Sequence, residues 1–233
     1  MIEFGHLSHP GTLKVCNEST YTGNGQLGFW MILDGIGGEG CGEVAANAAR
    51  ESLQKSLRMG QSIEDAIRTA DQAVCAVPKS KSNLRGTSAI ILQRDEATQS
   101  LNLGWVGATR AFGINAKGEW VELTVPDAAT PTSIRTMALG VTDAARLHVA
   151  QVSFNAANYS RILISSDAVV PLVGTPRATE ILKDRECSAQ EMVDTLAFEA
   201  LENDIEESFS VIVLKLESRK MRSQSTPLFN SAF

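Results

Sequence analysis

The order of strand-like and helix-like segments is the feature that most constrains the fold of this chain. Apolar, β-rich runs recur along its length, and helical patterns interrupt them in only two places. The runs cover 12–16, 27–33, 87–93, 101–106, 111–115, 120–124, 147–154, 161–165 and 209–216. Strands in consecutive runs with helices grouped apart favour an α+β protein over regular βαβ alternation. We therefore predict two antiparallel sheets with helices packed outside them.

Local signals place the helices and one turn. Helical patterns cover 43–59, 62–77, 178–183 and a segment that begins at Ser188. Ser188-x-x-Glu191 is a full capping box, which predicts the start of that last helix. The turn sequence Asn115-Ala116-Lys117-Gly118 predicts that 111–115 and 120–124 form a hairpin.

Composition excludes several classes of partner. The 233 residues fit one domain, and the net charge of -6 disfavours binding to nucleic acid or to anionic membranes. The apolar runs are far shorter than the roughly 20 residues of a membrane span. The N-terminus has no secretion signal, so we expect a cytoplasmic protein. The four cysteines have no Cys-x-x-Cys spacing and are expected to be reduced, packed thiols.

The composition changes near Ser218. From this point the chain is polar and basic and has no hydrophobic period. We predict a folded domain over 1–216 and a flexible C-terminal tail over 217–233.

An apolar run that ends on a single carboxylate is the most informative local feature. Residues 27–33 are almost continuously apolar, Asp34 follows them, and a glycine-rich turn then leads into a helix. A buried carboxylate needs a cation or several hydrogen-bond donors. The glycines allow the backbone to approach a ligand closely. Taken alone, such an aspartate often only caps a turn, and a glycine-rich turn is often only a turn.

The same arrangement recurs once, and a third acidic group stands before the start of the last apolar run. The apolar run 161–165 leads to Asp167, and Glu206 or Glu207 stands directly before the last run. Carboxylates at the ends of core strands form the oxygen-rich kind of site that Mg²⁺ or Mn²⁺ prefers. The alternative for Glu206 and Glu207 is the solvated acidic end of the preceding helix, although acids oppose the helix dipole there.

Taken together and in order, these motifs resemble the metal-dependent type 2C (PPM) serine/threonine protein phosphatases. The resemblance extends from about residue 11 to residue 216 and marks the chain as a divergent member. The matching segments are Asp34-Gly35-Ile36-Gly37-Gly38 with Gly42-Glu43, Gly86-Thr87-Ser88, Val106-Gly107-Ala108-Thr109-Arg110, Leu123-Thr124, Ala138-Leu139-Gly140, Ser166-Asp167-Ala168 and Glu207-Ser208-Phe209-Ser210.

The resemblance implies a fold and a site. The fold would be a four-layer αββα sandwich with a cleft for two Mn²⁺ or Mg²⁺ ions, or at least one. Asp34 would bridge both metals, and the Gly35 carbonyl would complete the first metal site. Asp167 and Glu207 would hold the second metal, although Asp204 and Glu206 remain alternatives to Glu207. A water activated by the metals would attack a phosphoserine or phosphothreonine.

Two further residues receive roles from the resemblance. Glu18 would order metal-bound waters. Lys14 would grip the phosphate where the family has an arginine, but without the bidentate fork of a guanidinium.

The chain also departs from the family pattern. Ser19 and Ala108 replace aspartates, Ala168 replaces a glycine, and Glu207 is one methylene longer than the expected aspartate. Fewer carboxylates predict weaker binding of metal.

These observations leave two functional hypotheses. The first is a metal-dependent phosphatase, weakened by the lost motif residues, that acts as a monomer on phosphoproteins and opposes a serine/threonine kinase. The alternative is a catalytically dead pseudophosphatase that binds a phosphoprotein or another partner through the same cleft. A purely structural domain is disfavoured, because burying carboxylates without a function is a poor route to stability.

Overall fold

A computed structural model describes residues 2–37, 41–78, 85–125 and 137–216. The strands are β1 (Glu3–His9), β2 (Ser19–Asn24), β3 (Phe29–Ile36), β4 (Gly86–Asp95), β5 (Ser100–Val106), β6 (Arg110–Asn115), β7 (Trp120–Glu122), β8 (Ala150–Asn155), β9 (Tyr159–Ser165) and β10 (Phe209–Lys215). The helices are α1 (Cys41–Arg58), α2 (Ile63–Ala76), α3 (Val169–Val173), α4 (Thr175–Lys183) and α5 (Ala189–Glu202).

The strands form two five-stranded antiparallel sheets. Sheet I has the order β1-β10-β9-β6-β7, and sheet II has the order β2-β3-β4-β5-β8. Helices α1 and α2 cover the outer face of sheet II, while α3, α4 and α5 cover the outer face of sheet I. The predicted α+β class and the αββα layering are therefore confirmed.

Alternation along the central strands explains the layers. Successive strand residues point to opposite faces. In β3, Met31 packs with Ile67 under the helices of sheet II, while Trp30 packs with Ile212 between the two sheets. Val213 of β10 faces the helices of sheet I. Both faces of the central strands are buried, which is why their sequences are nearly continuous apolar runs.

Several local predictions are confirmed. Ser188 and Glu191 form both bonds of the capping box at the start of α5. Strands β6 and β7 form the predicted hairpin. No helix among the described residues is long and apolar enough to span a membrane.

Other local predictions were wrong. Residues 12–16 form a turn in which Leu13 and Val15 are exposed. Strands β1 and β2 were missed because they are half-buried edge strands, for which polar side chains are tolerated. The short helix α3 was missed as well. Cys16 and Cys75 are exposed rather than packed. The predicted tail over 217–233 lies outside the described residues.

Candidate active site at the ends of the two sheets

Asp34 lies near the end of β3, which pairs with β2 on one side and with β4 on the other. Its neighbours across the ladder are Ser19 of β2 and Ser88 of β4. Burial raises the pKa of Asp34 to about 7, and the negative charges of Asp167 and Glu207 also raise it. Hydrogen bonding to the hydroxyls of Ser166 and Ser19 has the opposite effect. The desolvated Asp34 carboxylate therefore gains strongly from a cation.

Two glycines allow the end of β3 to contact the start of α1. The Gly35 amide donates a hydrogen bond to the Glu18 carbonyl oxygen over 3.0 Å. A Cβ atom on Gly35 would lie 2.4 Å from the backbone of Gly42, so a larger residue cannot be accommodated without movement. Gly35 and Gly42 of the expected motif are therefore needed for the close packing of β3 against α1. Its residues 38–40 lie outside the described part of the chain.

Glu18 is a buried carboxylate with a complete set of partners. One oxygen, Oε1, accepts from the Gly42 amide at 3.2 Å, at the start of α1. The other, Oε2, pairs with Lys14 Nζ at 3.2 Å. The Glu18 amide donates to Ser208 Oγ at 3.0 Å. Glu18 therefore connects Lys14, α1 and the segment before β10. The role of Ser208 in this connection could not be recognised from the sequence.

Lys14 forms ion pairs with two acids. Besides Glu18, its Nζ lies 2.9 Å from Glu207 Oε2, and the hydrogen bond with Glu207 is the main reason that the Lys14 pKa is raised. The backbone brings these residues together, because the Leu13 amide donates to the Glu206 carbonyl over 3.3 Å. The Lys14 side chain keeps 30% of its surface exposed, so it remains accessible to a ligand.

Asp167 follows β9 at the same end of the molecule. It is exposed, yet partial burial raises its pKa and the charge of Glu207 adds to the increase. The Ala168 amide and the charge of Arg110 lower the pKa. Arg110 itself pairs with Glu122. Arg110 is therefore a charge near the site that we did not single out from the sequence, although it closes the Val106 to Arg110 motif.

The three acids before β10 occupy different environments. Asp204 lies in the turn that follows α5 and has a positive φ of 56°. Glu206 contributes its carbonyl oxygen to the contact with Leu13. Glu207 is the acid that pairs with Lys14 and whose charge acts on both Asp34 and Asp167. Among these three acids, Glu207 is therefore the one whose charge acts on the candidate site.

The donor chemistry of these acids can be compared with the needs of a divalent cation. Asp34, Asp167 and Glu207 repel one another electrostatically, and a hard cation would relieve that repulsion. Among the described residues, however, no group of three His, Cys, Asp or Glu side chains converges in a metal-binding arrangement. The Glu207 carboxylate is directed to Lys14 instead. The negative charges of Asp34 and Asp167 therefore suit a cation, while Glu207 would have to leave Lys14 to contribute a ligand.

A network of hydroxyl groups lies between the sheets beside Asp34. Ser19 Oγ is 2.7 Å from Ser210 Oγ, which donates to Ser8 Oγ at 2.9 Å. The Ser210 amide donates to Ser166 Oγ at 3.0 Å. Ser19, at a position where the resemblance expects an aspartate, is buried in this network and contributes no charge.

Comparison of the fold with solved structures gives a consistent result. The Mycobacterium tuberculosis serine/threonine phosphatase PstP/Ppp is 20% identical, with a TM-score of 0.75, over 93% of this chain and 99% of that chain. The PstP catalytic domain in complex with two manganese ions is 19% identical, with a TM-score of 0.76, over 92% of this chain and 97% of that chain. The phosphatase MsPP from Mycobacterium smegmatis, solved with cacodylate, is 17% identical, with a TM-score of 0.75, over 92% and 98% of the two chains.

At the level of sequence, no protein-family model and no curated protein matches this chain. The similarity to the solved phosphatases therefore establishes the fold.

Proposed function

We propose that this protein is a metal-dependent phosphatase that hydrolyses phosphoserine or phosphothreonine in proteins. The observation that carries the proposal is Asp34, a half-buried carboxylate at the end of a core strand whose pKa is raised by burial to about 7. Such a group is costly unless it serves a cation or a reaction. The phosphatase fold and the nearby Asp167 support the same function.

The residues at hand would hold two ions of Mn²⁺ or Mg²⁺. Asp34 would contact both ions, the Gly35 carbonyl would complete the first site, and Asp167 with Glu207 would complete the second. When bound, the ions supply Lewis-acid activation of a water for in-line attack on the phosphorus. Asp34 must be ionised to hold them, and its raised pKa means that protons compete with metal near neutral pH.

Lys14 and Glu18 would act on the substrate side of the cleft. Lys14 offers an ammonium donor to a phosphate oxygen, and Glu18 holds the Lys14 side chain in place through the 3.2 Å contact. An ammonium group lacks the bidentate geometry of arginine, so we expect weak substrate binding. The expected substrate is a phosphoprotein produced by a serine/threonine kinase, and we expect the enzyme to act as a monomer in the cytoplasm.

Release of phosphate from a phosphothreonine peptide tests the proposal. The full chain should be active with Mn²⁺ and inactive with chelator. Asp34→Asn and Asp167→Asn should each lower kcat/KM by at least about a hundredfold, the effect expected for losing a ligand of the activating cation. Asp194→Asn is the matched control, because Asp194 is exposed on α5, where it accepts a hydrogen bond from the Gln190 side chain. Chelator-resistant activity, or full activity of Asp34→Asn, would contradict the proposal.

The second candidate is a catalytically dead binding module. The observation that favours it is the ion pair between Glu207 and Lys14, which occupies an acid needed for the second metal. The neutral Ser19 and Ala108 point in the same direction. Calorimetry with Mn²⁺ distinguishes the candidates, since the enzyme takes up metal and loses uptake in Asp167→Asn. A chain that binds a phosphopeptide without taking up Mn²⁺ or releasing phosphate would be the binding module.

A further inference from the structure

A cavity lies at the end of sheet I that is remote from Asp167. Strand β9 runs from this cavity, near Tyr159, to the candidate active site, just beyond Ser165. The cavity has a volume of about 800 Å³ and is partly open to solvent. This volume lies in the range of sites that bind small molecules.

Positive charge dominates the lining of this cavity. Four basic side chains face one carboxylate, that of Glu3. The basic residues are Arg161, Lys183, Arg185 and Lys215. The chain as a whole has a net charge of -6, so this concentration of cations runs against its average composition.

Two of the cations are placed against each other by the sheet. Arg161 of β9 and Lys215 of β10 are direct cross-strand partners. Like charges at such positions destabilise a sheet. Burial lowers the pKa of the Arg161 guanidinium, and the charge of Arg185 lowers it further, whereas Glu3 opposes the change. An anion in the cavity would remove this repulsion.

The acid in the lining does not neutralise both arginines. Glu3 Oε1 accepts from the Ala189 amide at 2.6 Å, and its Oε2 lies 3.7 Å from Lys215 Nζ. Arg161 Nη1 donates to its neighbouring Ser160 carbonyl at 2.8 Å, while the buried Arg161 Nε has no hydrogen-bond partner. Within the described ranges, neither Arg161 nor Arg185 forms a salt bridge.

We propose that this cavity binds an anion that carries phosphate groups. Guanidinium groups match the geometry of phosphate oxygens. Several cations around one cavity suit a ligand with several negative charges better than a ligand with a single carboxylate group. The volume exceeds that of one phosphate ion, which favours a diphosphate or a nucleotide over inorganic phosphate. The cavity uses none of the acids of the candidate active site, so this binding does not depend on the proposed phosphatase activity.

Calorimetry of the full chain in the presence of chelator tests this site. The probes are inorganic phosphate, pyrophosphate and ATP without metal. We expect saturable binding of one molecule of pyrophosphate or ATP. Arg161→Gln and Arg185→Gln should each weaken it at least about tenfold, the effect of removing a charge-assisted hydrogen bond. Arg58→Gln is the matched control, because it removes the same charge from an exposed position at the end of α1.

Two further variants separate this cavity from the active site. Lys14→Gln and Asp34→Asn should leave pyrophosphate binding in chelator unchanged. If Arg161→Gln fails to fold, the exposed Arg185 and Lys183 provide the decisive variants Arg185→Gln and Lys183→Gln. Tighter binding of pyrophosphate or ATP than of phosphate identifies a phosphorylated compound, and equal binding identifies free phosphate.

Three results would overturn the proposal. The first is that none of the three probes binds. The second is equal weakening in Arg58→Gln and Arg185→Gln, which would indicate a general charge effect. The third is loss of binding in Lys14→Gln, which would place the anion in the active-site cleft.

Discussion

The substitution Asp34→Asn should stabilise the metal-free protein while abolishing its binding of metal. The folded chain holds the Asp34 proton more tightly than the unfolded chain, because the pKa rises from 3.8 to about 7. Protonation of Asp34 contributes to the free energy of unfolding. This contribution is fully present below about pH 3.8 and is lost as the pH rises through about 7. The two pKa values correspond to about 4 kcal/mol at high pH, as an upper figure. Asparagine has no charge to desolvate and escapes this cost.

Urea unfolding in chelator at several pH values measures the effect. The difference in unfolding free energy between Asp34→Asn and the parent chain should grow from roughly 1–2 kcal/mol at pH 5 to about 4 kcal/mol at pH 8. Asp194→Asn should show no such growth. Added Mn²⁺ at a hundred times its Kd should stabilise the parent by about 2.7 kcal/mol and leave Asp34→Asn unchanged. An Asp34→Asn chain that is less stable than the parent at pH 8 would refute the electrostatic reasoning.

Three further predictions concern the surroundings of the site and the fold. Lys14→Arg should raise kcat/KM for a phosphopeptide about threefold to tenfold, because a guanidinium binds phosphate through two hydrogen bonds; an unchanged or lower value in steady-state assays would argue against a phosphate-binding role. Gly35→Ala should lower the unfolding free energy by about 1–3 kcal/mol, because the added Cβ would overlap the start of α1. Gly25→Ala is the control and should cost less, because its Cβ would lie 3.6 Å from the ring of Phe4, an ordinary contact distance. Ser188→Ala removes the hydroxyl of the capping box and should cost about 1 kcal/mol in urea unfolding, with no change in metal binding by calorimetry.

The parts of the fold that could be predicted are those with a strong local signal. Central strands such as β4 and β9 are buried on both faces, so their apolar runs are unmistakable. The start of α5 is encoded by two side chains that bond to each other's backbone. Edge strands have no such signal, because one side of the ladder is open and half-buried polar residues suffice. This is why β1 and β2 could not be recognised.

The apolar segment 12–16 shows the opposite error. Its alternation resembles a strand, but Gly11 adopts a φ of 82° and the segment turns instead of extending. A Cβ on Gly11 would lie 2.4 Å from the Glu207 carbonyl oxygen. The turn is therefore fixed by a contact with residues almost 200 positions away in the sequence, which no local pattern can reveal.

The same contact explains why the ion pair between Glu207 and Lys14 could not be predicted from the sequence. Asp34 and Asp167 were recognisable because each follows an apolar strand. Glu207 was ambiguous because its partner, Lys14, lies on that distant turn. Lys14 and Glu207 both differ from the residues that the resemblance leads us to expect, and the two differences are complementary. The longer side chain of Glu207 reaches the Lys14 ammonium group at 2.9 Å. With a Glu207 side chain that is 69% exposed, this pair contributes roughly 0.2–1 kcal/mol. A divalent cation with favourable ligands can exceed that energy, so the ion pair would weaken the proposed metal site without closing it.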